Sequence, residues 1–291
     1  MSHDLLRALA IFAAGLAAGT INTVVGSGTL ITFPTLLAFG YPPVLANVSN
    51  NVGLVPGVAS GVYGYRSELG GQRRRLIRLG SASVCGGLVG AILLLTLPQS
   101  AFKAIVPALI AVAVVMVVIQ PRLAKWVAER QRARAGLVTS AGTSADSPAA
   151  DAAAVAVAAA AVADAAAPAP ASSAAIGGPV LWVLVFLAGI YGGYFGAAQG
   201  VLLIGMLGIA LNDSLQRINA AKNVLAGLVN GLAAVVFIIA THIDWGVAGL
   251  IAAGSIIGGQ VGARIGRRLP PWGLRVVIVC VGIAALVKLL A

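Results

Sequence analysis

Long runs of apolar residues, separated by short polar or basic stretches, occupy most of this chain. A helix needs about 20 consecutive apolar residues to cross the hydrocarbon core of a membrane. Most of the runs reach or approach that length, so the pattern predicts an all-α, polytopic membrane protein. The runs cover residues 5–25, 28–40, 43–65, 76–97, 101–121, 180–197, 200–211, 216–241, 245–263 and 271–290.

Two of the runs end at a glycine-containing interruption and are followed by a second run that is too short to span a membrane. The first interruption is Gly26-Ser27-Gly28, and the second is Gln199-Gly200. Irregular backbone at membrane depth is tolerated only where protein or a water-filled cavity satisfies its polar groups. We therefore expect each half to hold a glycine-broken helix pair, re-entrant or discontinuous, followed by three transmembrane helices. This gives about eight membrane helical units.

The stretch between the two halves has a different composition. It begins with a basic cluster and continues as an Ala/Ser/Pro/Asp tract, in which the residues from Ala152 to Ala163 are mostly alanine. Such a composition is typical of a flexible or partly helical linker and not of a membrane span. The predicted domains are an N-terminal membrane repeat at 1–121, a cytoplasmic linker at 122–179 and a C-terminal membrane repeat at 180–291.

Glycines recur at matching positions in the two halves. A shift of 174 residues aligns several of them, and later in each half the shift becomes 172. Chance among glycine-rich helices would align roughly one pair over such a stretch. The pattern is therefore interpreted as an internal duplication, which is frequent in transporter folds. The aligned positions include Gly15 with Gly189, Gly19 with Gly193, Gly26 with Gly200, Gly53 with Gly227, and Gly86-Gly87 with Gly258-Gly259.

Composition and charge narrow the class of protein. Hydrophobic residues make up 59% of the chain and charged residues 9%, whereas soluble domains carry about 25% charged residues. The net charge of +11 does not indicate nucleic-acid binding, because the basic residues form short clusters between apolar runs without interleaved aromatic residues.

The basic clusters also predict the orientation of the chain. By the positive-inside rule, the clusters at 66–78, 122–134 and 264–275 belong on the cytoplasmic side. The last cluster can share that side with the other two only if the second broken pair enters the membrane and returns, and we expect the same of the first pair. The two halves then have opposite orientations, as in the inverted repeats of secondary transporters. We expect a protein of the inner (plasma) membrane, with a cytoplasmic linker and both termini outside.

The two interruptions predict one shared anion site near the membrane midplane. A helix start offers free N–H groups and the positive end of the helix dipole, which both favour an anion. All 8 acidic residues lie at segment ends or in the linker, so no midplane carboxylate is available for a cation. The candidate substrate-binding residues are Asn22, Thr23, Gly26, Ser27, Gly28, Asn47, Ser49, Asn50, Gln199, Gly200, Asn219, Lys222 and Asn223.

Each of these polar residues has an alternative role. Any one of them could instead form hydrogen bonds with a neighbouring helix, as polar residues in membranes often do. Lys222 is the most informative, because a cation within an apolar segment is costly and usually functional. Its alternative is to snorkel towards the cytoplasmic interface from the first turns of its helix. Cys85 and Cys280 fall inside apolar runs, so we expect no disulfide, metal or other cofactor.

These motifs resemble the sulfite exporter TauE/SafE family, also known as the toluene sulfonate uptake permeases. The resemblance covers nearly all of the chain outside 122–179. It implies transport of sulfite, sulfonates, sulfoacetate-like compounds or related anions, without fixing the anion or the direction. This chain departs from the family in its Gly26-Ser27-Gly28 sequence, where an unbroken glycine run is frequent, and in its long linker. The matching segments are GLAAGTINTVVGSG (15–28), Pro34, ANVSN (46–50), RINAAKN (217–223) and GGQVGA (258–263).

Other functions stay open at this point. An anion channel would also use glycine breaks and a pore-lining lysine, and a carrier of non-sulfur organic anions would share the same site. An intramembrane protease would need a Ser–His pair at depth, but His3 and His242 lie at segment ends. The expected partners are a small anionic substrate and the lipid bilayer, with no nucleic acid; a homodimer is compatible with the sequence.

Overall fold

A computed structural model describes residues 3–140, 178–211, 213–265, 279, 280 and 283. Within these residues the chain is all-helical and contains no β-strand, as the apolar pattern predicts. The helices are α1 (His3–Val24), α2 (Thr29–Ala38), α3 (Pro43–Gly64), a short 3-10 helix (Arg66–Leu69), α4 (Arg73–Thr96), α5 (Gln99–Ser140), α6 (Pro179–Tyr194), α7 (Gln199–Ala210), α8 (Leu215–Ala240) and α9 (Trp245–Ile265).

Five helical segments in the described part of the chain are long and apolar enough to cross a membrane. They are α1, α4, α8, Ser100–Ile119 within α5, and Trp245–Arg264 within α9. The 22-residue α3 is long enough as well. Its asparagines at positions 47, 50 and 51 lower its hydropathy, so it is not among the five. A multi-pass helical membrane protein is the fold class that these helices support.

The predicted boundaries differ from the observed ones in two places. Helix α5 continues past the predicted domain end at residue 121 to Ser140. The second interruption lies at residues 195–198, just before the predicted Gln199-Gly200, because α6 ends at Tyr194 and α7 already begins at Gln199. The rest of the linker, from 141 to 177, and most of the predicted run at 271–290 lie outside the described residues.

The start of α1 and the end of α2 lie on the same side of the helical bundle. The Arg7 guanidinium donates to the Phe39 carbonyl at 3.4 Å and lies 4.5 Å from the centre of the Tyr41 ring. In the second half, the N-terminal part of α4 contacts both the start of α6 and the residues that follow α7. Trp182 near the start of α6 donates to Ser81 Oγ at 3.2 Å.

A partly buried ion-pair network follows α7 at that same end of the molecule. Asp213 accepts from Arg75 of α4 at 2.7 Å and from Arg217 of α8 at 2.6 Å. The Gln72 side-chain amide, which is buried, donates to the Arg217 carbonyl at 3.3 Å. These contacts join the start of α4 to the start of α8.

One helix of each half packs mainly against helices of the other half. Helix α9 packs most extensively against α1 and α3, and α4 packs most extensively against α6 and α8. Glycines permit the close approach: a Cβ at Gly86 would fall on the Phe186 carbonyl oxygen, and a Cβ at Gly258 would fall on that of Leu16. Each backbone therefore lies directly against its neighbour, as is common for membrane helices.

Helices α1 and α6 end with the same backbone conformation. The N–H groups of Val25 and Gly26 both donate to the Ile21 carbonyl, and those of Phe195 and Gly196 both donate to the Tyr191 carbonyl. Gly26 and Gly196 then take φ values of 89° and 77°. These two glycines are 170 positions apart in the chain. The shift between the two halves is therefore 170 residues at this place, about one helical turn less than the predicted 174.

Candidate functional site

The first interruption touches the first turn of α7, at Gly26 and Gly200. The Gly200 N–H donates to the Gly26 carbonyl at 3.1 Å. A Cβ added to either residue would collide with the Cα of the other. The φ of 89° at Gly26 also strains any L-amino acid with a side chain. The two positions that the glycine pattern aligns are therefore in direct contact.

Three side chains of α8 converge on the last carbonyls of α1. Lys222 Nζ donates to the Asn22 carbonyl at 2.9 Å and to the Thr23 carbonyl at 3.2 Å. The amides of Asn219 and Asn223 donate to the same Thr23 carbonyl at 3.2 Å and 3.3 Å. The final carbonyls of a helix lack intrahelical partners and carry partial negative charge. An ammonium and two amide donors therefore cap the end of α1.

Lys222 does not snorkel to an interface in this structure, because it is 0% exposed. Its aliphatic stem lies beside Gly200, where a Cβ would come within 2.9 Å of Lys222 Cδ. The side chain thus joins helices next to both interruptions: its ammonium binds the end of α1 and its stem packs against the start of α7. This places the predicted intramembrane cation beside the contact of Gly26 with Gly200, which we call the crossing of the two halves.

The end of α6 has a simpler cap. The Asn47 amide of α3 donates to the Tyr194 carbonyl at 3.0 Å. Asn47 and Asn219 are 172 positions apart. Each reaches from the first turns of one helix to a carbonyl in the last turn of a helix in the other half. The Tyr191 hydroxyl also donates to the Ala197 carbonyl within the second interruption.

Several polar atoms around the crossing are buried without a hydrogen-bond partner among the described residues. They include Ser27 Oγ, Asn50 Oδ1, Gln199 Nε2 and Asn219 Oδ1. Buried polar groups are almost always hydrogen-bonded, so each such atom needs an explanation, and a ligand or an ion is one. These four atoms come from both halves, and their residues all adjoin an interruption or the cap of α1.

The other predicted residues divide into two groups. Thr29, which opens α2, accepts from the Asn50 amide at 3.5 Å, so Asn50 lies at the start of that helix. Ser49 lies elsewhere: its hydroxyl accepts from the Asp244 N–H at 3.0 Å, which ties α3 to the segment before α9. The structure therefore does not bring Ser49 to the crossing, because its side chain leaves α3 on the face towards α9.

Comparison with known proteins now identifies the family. The model of the sulfite exporter TauE/SafE family matches residues 11–289. This chain belongs to that family. Its five candidate spans agree with a multi-pass membrane protein of this family.

A curated relative of this TauE/SafE member agrees with that class. It is named "Probable membrane transporter protein ORF9", from Sinorhizobium sp, and is 29% identical over 100 residues. The matched segment covers 34% of this chain and 38% of the relative, so well under two thirds of the relative's length is compared. No solved structure matches the chain.

Some residues at the two interruptions of this TauE/SafE member could not be predicted from the sequence. Gly196 takes the positive φ of the second interruption, and a Cβ at Gly192 would collide with the Gln199 side chain. Glycines at 192, 196 and 200 recur every four positions, so composition does not distinguish the one at which the helix breaks. Tyr194 contributes only its main-chain carbonyl to the contact with Asn47. A carbonyl is present at every position, so no sequence signal could have indicated it.

Proposed function

We propose that this TauE/SafE family member is a secondary transporter of a small anion, with sulfite, a sulfonate or a related organosulfur anion as substrate. The observation that carries the proposal is the contact of Gly26 with Gly200, surrounded by unpartnered buried polar atoms from both halves. A transporter needs a site that both halves share, so that their relative movement can expose it to either side.

The charge of the crossing favours an anion. The described side chains that meet there are amides, hydroxyls and the Lys222 ammonium, and none of them is acidic. The starts of α2 and α7 add the positive ends of two helix dipoles. In the present conformation the Gly200 N–H is bound to the Gly26 carbonyl at 3.1 Å. We propose that a bound anion replaces this carbonyl and accepts hydrogen bonds from Ser27 Oγ and Gln199 Nε2. Asn50 would take part through its Nδ2, which here donates to Thr29.

The residues proposed to bind substrate differ from those proposed to hold the helix ends. Asn47, Asn219, Lys222 and Asn223 already donate to main-chain carbonyls. We assign them the role of positioning the two interruptions, with Lys222 also supplying positive potential to the site. Thr23 and Asn22 take part through those carbonyls.

We further propose that α1–α2 and α6–α7 are re-entrant hairpins of an inverted repeat. The contact of Arg7 with Phe39 supports a return of α2 to the side where α1 begins. The end of α3, the start of α8 and the end of α9 meet in a buried cluster of Tyr65, Ala220 and Ala263. The two hairpins then open towards opposite ends of the bundle, which is the relation expected of inverted halves.

Alternating access then involves units that mix the two halves. Helix α9 packs with α1 and α3, and α4 packs with α6 and α8. We propose that these two groups rock against each other about the crossing. The caps formed by Asn47 and by Lys222 would be among the contacts that rearrange, because each joins one group to the other.

The proposed topology places the linker in the cytoplasm and both termini outside, in the inner membrane. The basic residues of 66–78 and Arg264 lie at the ends of helices that meet near Tyr65 and Ala263, which supports a common side. Cysteines at positions 2, 144 and 291 can be probed in intact cells with an impermeant thiol reagent. Labelling at the two termini and protection at position 144 is expected; labelling at 144 would contradict this topology.

The proposed function can be tested by flux into liposomes that contain the purified protein. A panel of sulfite, methanesulfonate, sulfoacetate and acetate separates organosulfur anions from other anions. We expect saturable uptake of at least one sulfur-containing anion. Uptake that rises linearly with concentration would instead indicate an anion channel. Saturable uptake of acetate alone would indicate a carrier of non-sulfur organic anions.

A further inference from the structure

An apolar groove lies between α4 and α8, away from the crossing. Its volume is about 460 Å³, and its walls include Ile77, Gly80, Val224 and Leu228. Arg73 is the charged residue in its lining. Volumes of 300–1,000 Å³ are ordinary for a ligand site. This groove is not made from residues of the proposed substrate site.

The sequence of α4 explains why a groove forms there. Arg73, Ile77 and Gly80 are spaced by four and then three residues, so they lie on one face of the helix. Gly80 has no side chain to fill the space beside Leu228, whose Cδ1 would lie 3.1 Å from an added Cβ. Ile77 is 64% exposed and forms an outer wall. The result is an apolar slot that runs along the helix from a cationic opening.

The opening of the groove lies at the end of a membrane span. Arg73 is the first residue of α4, which is itself a candidate span from Arg73 to Thr96. Arg74 and Arg78 are exposed nearby. Arg75 differs from these three, because it is bound to Asp213 at 2.7 Å. An apolar slot with an arginine at the membrane boundary is complementary to an acyl chain that ends in a negatively charged headgroup.

We propose that this groove binds one anionic glycerophospholipid, with an acyl chain along Ile77, Gly80 and Leu228 and the phosphate at the Arg73 guanidinium. Arginine is suited to this role because its planar fork matches two phosphate oxygens. Neighbouring arginines raise the local concentration of anionic lipid, but only Arg73 lines the groove. The site depends on α4 being a membrane span and not on the anion that the protein transports.

Native mass spectrometry of the full-length protein in detergent tests the proposal, with phosphatidylglycerol and phosphatidylcholine of identical acyl chains as probes. We expect the parent protein to bind phosphatidylglycerol about fivefold more tightly, the difference typical of one arginine near a lipid headgroup. Arg73→Gln should remove this preference. The matched control Arg74→Gln, one position along the same helix turn, should keep it.

Two further variants test the apolar part of the site. Gly80→Leu fills the slot and should weaken binding of both lipids, and Leu228→Phe is the second variant in case Gly80→Leu does not fold. Gly249→Leu is the control, because a Cβ at Gly249 meets nothing within 4 Å. Equal binding of the two lipids by the parent, equal effects of Arg73→Gln and Arg74→Gln, or unchanged binding by the folded groove variants would each overturn the proposal.

Discussion

The interruption after α1 and the interruption after α6 share a backbone conformation but not a chemical environment. Both begin with two N–H groups on one carbonyl and both contain a glycine at positive φ. The end of α1, however, is capped by an ammonium and two amides, whereas the end of α6 receives the single amide of Asn47. The two halves therefore have a similar backbone here and a different distribution of charge.

This difference has a consequence for the two helices that carry the caps. Lys222 of α8 and Asn50 of α3 are 172 positions apart. Lys222 is committed to the carbonyls of α1, while Asn50 keeps a buried oxygen without a partner in the described structure. One half thus holds a cation that binds the end of the neighbouring helix, and the other leaves an amide oxygen, a hydrogen-bond acceptor, beside the start of α2.

The largest expected effect comes from removing the contact that both interruptions share. Gly26→Leu and Gly200→Leu should each abolish transport, because a side chain at either position collides with the other backbone. Membrane insertion should stay normal, since the apolar runs are unchanged. Flux in proteoliposomes and membrane-fraction abundance measure the two outcomes. Normal flux in both variants would remove the shared central site from this account.

A milder pair of substitutions separates backbone strain from collision. Gly40 has a φ of 82°, close to that of Gly26, but a Cβ there meets nothing within 4 Å. Gly40→Ala should therefore cost only the strain of a positive φ, of the order of 1 kcal/mol. Gly26→Ala should show the same strain and should also lose most of its transport activity, because its Cβ collides with Gly200. Equal flux in the two alanine variants would show that contact with Gly200 does not matter.

Lys222→Met should have the next largest effect, because it removes the cation that caps the end of α1. The Asn22 carbonyl loses its donor, which costs about 1–3 kcal/mol of stability for a buried acceptor. Anion binding should weaken by more than the ~1 kcal/mol expected of an interfacial charge. Lys222→Arg should restore only part of both, since the guanidinium is larger and forked. A parental melting temperature and parental KM for Lys222→Met would assign the site to dipoles and neutral groups alone.

The two amide caps should differ in a smaller but measurable way. Asn47→Ala should destabilise the protein by about 1 kcal/mol, because the Tyr194 carbonyl loses its side-chain donor. Asn219→Ala should cost less, since Lys222 and Asn223 still donate to the Thr23 carbonyl. It also removes an unpartnered buried oxygen. Thermal unfolding of both variants in detergent provides the comparison, and a larger loss for Asn219→Ala would contradict it.

The smallest effect is expected outside the two halves. Deleting roughly residues 140–175 should leave transport largely intact, because a tract of this composition cannot form a core. The deletion leaves both interruptions and their caps unchanged. Uptake and expression level are the readouts. Loss of folded protein would show that the tract contributes to the structure.

The first interruption was predictable because three features coincide there: the end of a long apolar run, the Gly26-Ser27-Gly28 sequence and a short second run. The second was predicted one turn late. Its glycines recur every four residues, so each of them suits the packing face of a helix equally well. The tertiary contact of Gly200 with Gly26 distinguishes them: Gly200 packs against the other half, and Gly196 takes the positive φ at the end of the helix.

The cap of α1 was predictable in its residue types but not in its contacts. Asn219, Lys222 and Asn223 were recognisable as polar groups within an apolar run. Their partners are main-chain carbonyls of Asn22 and Thr23, which side-chain patterns do not reveal. Ser49 shows the opposite case: its spacing resembles that of its neighbours, but its hydroxyl contacts Asp244 at 3.0 Å. Which face of α3 meets which helix depends on how the helices of the two halves pack against each other.

The central claim is that an anion binds where the two interruptions cross, and protection of a cysteine at position 27 tests it most directly. Ser27 is 1% exposed and its hydroxyl has no partner in the described structure. The measurement uses Ser27→Cys with Cys85 and Cys280 replaced by alanine, and Ser100→Cys as an exposed control. N-ethylmaleimide labelling is followed in proteoliposomes at increasing concentrations of the transported anion. The account predicts slower labelling of Ser27→Cys, half-maximal at the anion concentration that gives half-maximal flux, and constant labelling of the control. An unchanged labelling rate at position 27 while flux saturates would contradict it.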